Sequence, residues 1–327
     1  MTTQAIHLSS PVDLITSLPY TLGFHPKRSV VLVNLKGNRL GLTQRIDIPP
    51  PEHAQDAANA MVGPMLQDCP TSVVLLGYED VEGESIPLLN ALMVAISNPH
   101  LHPSAASFGS IGLDDVLVVR DGRWYSRVCK IPTCCPPEGT PLAENAAVAS
   151  EFIGLGHSPL SSREDVAARV EAKFGAVSLP TIAEPDTAAS LAAWAKVLTT
   201  GQLSRQETED AALALLNINF RDAMVAHTCP GFLPWDLVDD ELKAVFETMP
   251  KIVHEGAIDR LIDLCSALAD DSAAPALTVL ANYAWMLGDG GITRMALERA
   301  LRCDPNYRLA QLLERMVEMA IRPVPET

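Results

Sequence analysis

The distribution of strand-like segments along the chain constrains its fold more than any other feature. Short apolar runs at residues 29–35 and 71–78, and a hairpin with an Asp121-Gly122 turn, all lie in the first half. After Pro141 the remaining apolar segments have helical spacing. Strands that alternate with helices predict a mixed three-layer α/β sheet, and the remainder predicts an all-α domain.

The N-terminal elements can be predicted individually. Hairpins are expected to pair residues 29–35 with 40–48, and 115–120 with 123–130. Helices are expected at 11–18, 52–67 and 86–96, and Ser10 is placed as an N-cap before Pro11.

The C-terminal elements are all predicted to be helices. They are expected at residues 144–153, 162–174, 185–199, 206–226, 239–249, 255–270, 273–286, 291–301 and 307–320. We therefore predict a mixed-sheet α/β domain at 1–141, a helical connector and linker at 142–185, and a helical domain at 186–327.

The end of the helical domain has a pattern of its own. Trp285 is followed by Gly288, by the small residues Ala296 and Ala300, and then by Pro305. This order is typical of a tetratricopeptide-like helical hairpin in which Trp285 is buried. A solenoid needs at least about three repeats, so one unit predicts an isolated hairpin.

Composition narrows the class of protein. The 327 residues carry a formal net charge of −16, with 40 acidic against 24 basic side chains. This balance disfavours nucleic-acid binding, which needs a basic face.

No basic N-terminal segment precedes an apolar core, and no uncharged apolar run approaches the roughly 20 residues of a membrane helix. Seven cysteines, an odd number, do not form a secreted disulfide framework. We expect a reduced, cytoplasmic protein with no membrane partner.

Three of the cysteines form a local cluster. Cys129, Cys134 and Cys135 lie where a predicted strand enters a Pro/Gly-rich loop. They can bind a metal such as zinc with a fourth ligand from elsewhere. They can also be redox-active thiols whose pKa is lowered by Arg127 and Lys130. The third interpretation is that they pack a tight corner, since free cysteines are often buried.

A group of charged residues surrounds the first hairpin. His25, Lys27 and Arg28 precede its first strand, and Arg45 and Asp47 share one face of its second strand. Together they predict a site for a small anionic ligand, because arginine binds phosphate and carboxylate groups through two hydrogen bonds. The alternative is a solvated turn and an Arg45–Asp47 ion pair.

Two further polar residues are expected to belong to the same site. Glu138 and Thr140 lie in the loop after the last predicted strand. If the strands are neighbours, their loop ends converge, and one cleft contains Arg28, Arg45 and Glu138. The alternative is that Gly139 permits a turn and Thr140 caps the following helix.

Other signatures of chemistry are weak. No Gly-rich run precedes Lys-Ser or Lys-Thr, as a phosphate-binding loop requires. His100 and His102 flank Leu101 and form either a weak metal-binding pair or two exposed loop histidines.

Several motifs together resemble one known family. They are LGFHPKRS at 22–29, RID at 45–47, CCPPEGTP at 134–141 and AWMLGDG at 284–290, followed by Ala296 and Asp304-Pro305. Their order resembles the domain-of-unknown-function family numbered forty-one ninety-two, which is widespread in actinobacteria and their phages. The resemblance extends from about Leu8 to Pro323. It implies a cytoplasmic protein and supplies no activity.

The sequence leaves three functions open. The first is a non-catalytic binding protein for a small anionic ligand, for example a nucleotide, or for a protein partner, with a regulatory or phage counter-defence role. The second is a hydrolase, transferase or thiol-redox enzyme that uses the region from Cys129 to Cys135. The third is a structural subunit that forms homo-oligomers through its helical half.

Overall fold

The chain divides into two compact units. The computed structural model describes residues 6–98, 111–143, 145–155, 158–180, 185–321 and 323. Met1–Ser162 and Glu318–Ile321 form the first unit, and Arg163–Val317 forms the body of the second. The division falls inside the segment 142–185 that was predicted to connect the two domains.

The first unit contains a six-stranded mixed sheet, as the alternation of strands and helices predicted. The strands are β1 (Ser29–Lys36), β2 (Arg39–Asp47), β3 (Ser72–Tyr78), β4 (Gly112–Arg120), β5 (Arg123–Ser126) and β6 (Thr140–Pro141). Their order across the sheet is β2-β1-β3-β4-β5-β6. The pair β3–β4 is parallel and the other neighbours are antiparallel.

Both faces of this sheet are covered by helices. Alternation along β1 sends Val30 and Leu32 to one face and Val31 and Val33 to the other, all without exposed surface. The first pair packs in a core with α2 (Ala54–Gln67) and α3 (Ile86–Ser97). The second pair packs with α1 (Pro11–Leu22), and we call this side the α1 face. α4 (Ala146–Gly154) lies against α1.

Local hydrogen bonds set several element boundaries. The Ser10 hydroxyl accepts from the Asp13 N–H, which confirms Ser10 as the N-cap of α1. β5 was predicted to continue to Lys130 but ends at Ser126. The Ser126 hydroxyl accepts from the backbone N–H groups of Val128 and Cys129, and these bonds take the chain out of the ladder.

The regular elements in the described part of the second unit are helices, apart from an isolated β-bridge between Val177 and Leu268. Its helices are α5 (Arg163–Val170), α6 (Thr187–Thr199), α7 (Arg205–Ala214), α8 (Ile218–Thr228), α9 (Asp240–Phe246), α10 (Ala257–Ser266), α11 (Asp270–Met286), α12 (Gly290–Cys303) and α13 (Arg308–Glu318). The single helix predicted at 206–226 is two helices, because the Asn217 side chain caps α8 by accepting from the N–H groups of Asn219 and Phe220. Of the described helices, none has the length and apolar character needed to cross a membrane.

One arginine on α12 (Gly290–Cys303) contacts three other helices of this unit. Arg299, on α12, is 1% exposed. Its guanidinium donates to the backbone carbonyls of Val170, Cys265 and Leu268 and to the Asp270 carboxylate. Val170 ends α5, Cys265 lies in the last turn of α10 and Leu268 follows that helix, so these carbonyls are among those that a helix leaves partly or wholly without donors. Arg299 therefore caps two helices from the interior.

The prediction for Trp285 is confirmed. Trp285 is buried near the end of α11, and its ring packs edge-on against Phe232 with 5.7 Å between ring centroids. Ala296 and Ala300, on α12, have no exposed surface. Gly288 separates α11 from α12 with a φ of 80°, a backbone conformation that favours glycine.

Candidate functional site

The loop before β1 presents its charged side chains to solvent. His25, Lys27 and Arg28 are all exposed. The Arg28 guanidinium is paired with Glu84, in the loop after β3, through Nη2–Oε2 and Nε–Oε2 distances of 3.0 and 3.1 Å. A ligand that binds Arg28 must compete with this carboxylate.

The side chain of Arg45 is more buried than that of Arg28. It lies opposite Val31 in the β1–β2 ladder, and therefore on the α1 face. Its side chain is 12% exposed, its Nη2 contacts Asp47 Oδ1 at 2.5 Å and the Lys27 carbonyl at 3.3 Å, and its guanidinium lies 5.7 Å from the centroid of the Phe24 ring. The ion pair considered as an alternative is thus present. Arg45 Nε is nevertheless buried without a hydrogen-bond partner.

Other polar atoms without partners are buried on the same face. They are Ser29 Oγ, Tyr78 OH and Trp124 Nε1. The ladders pair Ser29 with Tyr78, Tyr78 with Val119 and Val119 with Trp124, so these side chains share one row across the sheet. We call Arg45, Ser29, Tyr78 and Trp124 the polar row.

The ladder register sets the spacing within the polar row. Ser29 and Tyr78 are directly opposite, and such side chains begin about 5 Å apart. Arg45 is diagonal to Ser29, at about 7–8 Å. Trp124 lies two strand positions beyond Tyr78, at about 10 Å. Burial raises the pKa of Tyr78 far above its ordinary value, so its hydroxyl stays protonated and can donate.

Sequence reasoning found Arg45 but missed the other three members of the polar row. A usable signal was present for two of them. Ser29 begins and Tyr78 ends strands whose other residues are mostly apolar. Their pairing depends on the order of the strands, which the linear pattern does not contain.

The cysteine loop is built on a compact turn. The sulfurs of Cys129, Cys134 and Cys135 all lie within 4.8 Å of one another, and those of Cys134 and Cys135 are 3.9 Å apart. The Ile131 carbonyl accepts from the N–H groups of Cys134 and Cys135 at 3.0 and 2.7 Å. In the described part of the chain, this is the only such group of three or more potential metal ligands.

The cysteines of this loop differ in their ionisation. The Ile131 N–H and the neighbouring Cys135 thiol hold the pKa of Cys129 below its ordinary value. Burial and the neighbouring sulfurs raise the pKa of Cys135 to about 12. Arg127, one of the two residues predicted to lower a thiol pKa, donates instead to the Asn90 side chain. Redox activity of the cysteine loop stays a prediction.

The residues after the cysteine loop lie at the β6 edge. Glu138 is exposed, and its backbone carbonyl accepts from Arg123 at 3.4 Å. Thr140 belongs to β6 and pairs with Trp124. The alternative that Thr140 caps the next helix is wrong, because the side chain of Asn145 caps α4.

The order of the strands separates the two parts of the predicted cleft. β2 carries Arg45 and Asp47 at one edge of the sheet, and Glu138 immediately precedes β6 at the other. Five strand spacings correspond to about 24 Å. The expectation that Arg28, Arg45 and Glu138 line one concavity is therefore wrong. Ligand binding at the β1–β2 edge, and separately at the β6 edge, stays a prediction. The predicted pair His100 and His102 lies outside the described residues.

Comparison with known proteins identifies a family and no activity. The family model "Domain of unknown function (DUF4192)" matches residues 11–324, in agreement with the resemblance found in the motifs. No curated protein and no solved structure matches the chain.

Proposed function

The chain belongs to the DUF4192 family, and we propose that it is a non-catalytic binding protein for a small anionic ligand on the α1 face of its sheet. The observation that supports this proposal is the polar row, in which Arg45, Ser29, Tyr78 and Trp124 each bury a polar atom without a partner. Buried polar atoms are nearly always hydrogen-bonded in folded proteins, and each unpaired one costs about 1–3 kcal/mol. Four such atoms on one sheet face support a bound group that pairs with them, and because each has almost no accessible surface, the side chains around them must move to admit it.

The chemistry of the four atoms defines the ligand. Arg45 Nε and Trp124 Nε1 can only donate, whereas the hydroxyls of Ser29 and Tyr78 can donate or accept. The complementary group is therefore rich in acceptor oxygens, such as a carboxylate or a phosphoryl group. A charge-assisted hydrogen bond to Arg45 contributes about 1.5–3 kcal/mol. The phosphate of a nucleotide is one group of this class.

The surrounding residues fit the same ligand. Asp47, the carboxylate paired with Arg45, has a side chain that is 72% exposed. Because this carboxylate can return to water, a bound anion can replace it as the partner of the Arg45 guanidinium. His25 and Lys27 are exposed in the loop that precedes Ser29, and Lys27 adds positive charge there in an otherwise acidic protein.

Native mass spectrometry of the freshly purified chain tests the proposal. We expect the wild type to carry the additional mass of one non-covalently bound small molecule. Tyr78→Phe removes one hydroxyl and should lose that mass. Tyr125→Phe makes the same chemical change on the opposite face and should keep it, since Tyr125 packs with the α2–α3 core. A wild type that is detected only at its bare mass would contradict the proposal.

The stability of ligand-free protein provides an independent test. Removing an unpaired buried hydroxyl stabilises a protein, because the cost of its desolvation disappears. Tyr78→Phe should therefore raise the free energy of unfolding of the stripped chain by about 1–3 kcal/mol, and Tyr125→Phe should not. A destabilised Tyr78→Phe variant would mean that the hydroxyl has a partner within the protein.

For the helical unit we propose that α11 and α12 form a tetratricopeptide-like hairpin. We also propose that the protein is cytoplasmic and that this unit binds either a protein partner or a second copy of the chain. The buried Trp285 and the fully buried Ala296 and Ala300 support this proposal. Light scattering at several protein concentrations separates the two partners. A mass above that of one chain indicates self-association, and a single-chain mass at every concentration argues against it.

A further inference from the structure

The cysteine loop carries an inference that is independent of the polar row. We propose that Cys129, Cys134 and Cys135 form a zinc site with three protein ligands and one water. The family description and the comparisons assign no metal to the chain.

The sulfur distances already approach those of a zinc site. In a tetrahedral site with Zn–S bonds of about 2.3 Å, two sulfurs are about 3.8 Å apart. The sulfurs of Cys134 and Cys135 are 3.9 Å apart, and every pair in the cluster lies within 4.8 Å. Closing the site on an ion therefore requires each sulfur pair to approach by about 1 Å or less.

The loop is held in this arrangement by its own hydrogen bonds. The Ile131 carbonyl accepts from the N–H groups of Cys134 and Cys135, and the Ser126 hydroxyl accepts from the Cys129 N–H at 2.9 Å. Ser126 also donates to Asp115 Oδ1 at 2.6 Å. Such outer contacts orient metal ligands.

Packing alone explains only part of the cluster. Cys135 packs beside the core on the α1 face, as a structural cysteine does. Cys134 is exposed and Cys129 is half-buried, so neither fills the interior. A Cys134–Cys135 disulfide is disfavoured, because adjacent Cα atoms are about 3.8 Å apart and disulfides need about 4.4–6.8 Å. A shared ligand accounts for all three positions.

The coordination number follows from the same geometry. Among the described residues, the three sulfurs are the only group of this kind, and they supply three of the four positions that zinc prefers. The exposed side of the loop, at Cys134, leaves the fourth position open to water. This open arrangement is the one in which zinc-bound water becomes acidic.

The test uses the full chain, reduced and stripped of metal. Zn²⁺ is titrated in, with binding followed by native mass spectrometry, and Cd²⁺ is titrated in parallel and followed by its thiolate charge-transfer absorption. We expect one ion per chain. Cys134→Ser should weaken Zn²⁺ binding by at least about 10–100-fold, which is the cost of losing even an outer contact. Cys69→Ser is the matched control, because Cys69 is also exposed and lies outside the cluster. It should bind as the wild type does.

A further variant tests the construction of the loop. Ser126→Ala keeps all three thiols and removes the hydroxyl that holds Cys129, so it should weaken Zn²⁺ binding by about 10–100-fold. Circular dichroism shows whether each variant is folded. The zinc site is refuted if the folded wild type binds no ion, or if binding survives the combined Cys129→Ser and Cys134→Ser changes.

Discussion

Replacing Arg299 with leucine is expected to destabilise the helical unit strongly. The guanidinium is 1% exposed, and it donates to the carbonyls of Cys265 and Leu268 at 2.9 and 2.7 Å and to that of Val170. It also contacts Asp270 Oδ1 at 3.0 and 3.1 Å. Leucine preserves much of the apolar volume but provides no donor, so all of these hydrogen bonds are lost together.

The magnitude follows from the groups left unpaired. A buried carbonyl without a donor costs about 1–3 kcal/mol. The carbonyls of Val170 and Leu268 are subject to that loss, whereas the Cys265 carbonyl still accepts from the Leu268 N–H at 3.2 Å. Relaxation of the helix ends and entry of water recover part of it. The Asp270 side chain is 57% exposed and returns to water, so it adds little. We therefore expect a decrease of about 2–5 kcal/mol in the free energy of unfolding.

Urea unfolding of the full chain, followed by circular dichroism, measures this loss. The chain has two compact units, so the transition of the helical unit must be assigned before the free energies are compared. Arg302→Leu is the control. Arg302 lies on the same helix, but its side chain is 54% exposed and pairs with an exposed Glu171. It should cost no more than about 1 kcal/mol. Equal, small losses in the two variants would refute the capping role of Arg299.

Two further predictions address the helical hairpin of α11 and α12 and the first helix, α1. Trp285→Ala should cost about 3–5 kcal/mol in thermal or chemical unfolding, as a large-to-small change in a core, and the half-buried Trp235→Ala should cost clearly less; equal losses would contradict this. The Ser9 N–H and the Asn145 amide lower the pKa of Asp13 from 3.8 to about 2. The resulting stabilisation is fully present above about pH 4 and is lost as the pH falls towards 2. Over that range, the free energy of unfolding should therefore depend less steeply on pH in Asp13→Asn than in the wild type. An unchanged slope would contradict the assignment.

Local patterns account for the elements that the sequence predicted well. The apolar runs at 29–35 and 71–78 became β1 and β3 within about one residue of each end. The prediction of a single helix at 206–226 was wrong because the Asn217 side chain caps a new helix, α8. The end of β5 was predicted too late because the Ser126 hydroxyl accepts from the Cys129 N–H and takes the chain out of the sheet.

The two candidate sites also differ in whether their residues are close in sequence or are brought together by the fold. The cysteine loop was predictable because its three thiols are neighbours in sequence. The polar row was not, because Ser29, Tyr78 and Trp124 meet only through the strand order. The same order placed Glu138 at the edge opposite Arg45. A prediction of convergence from loop ends alone therefore paired the wrong residues.

The most direct test of the proposed function is a crystal structure of the protein as purified, at a resolution that distinguishes water from a larger bound group. The proposal predicts density for a non-protein group with acceptor oxygens within about 3.2 Å of Arg45 Nε, Ser29 Oγ and Tyr78 OH. Single waters there, or protein atoms that pair with all three, would contradict it.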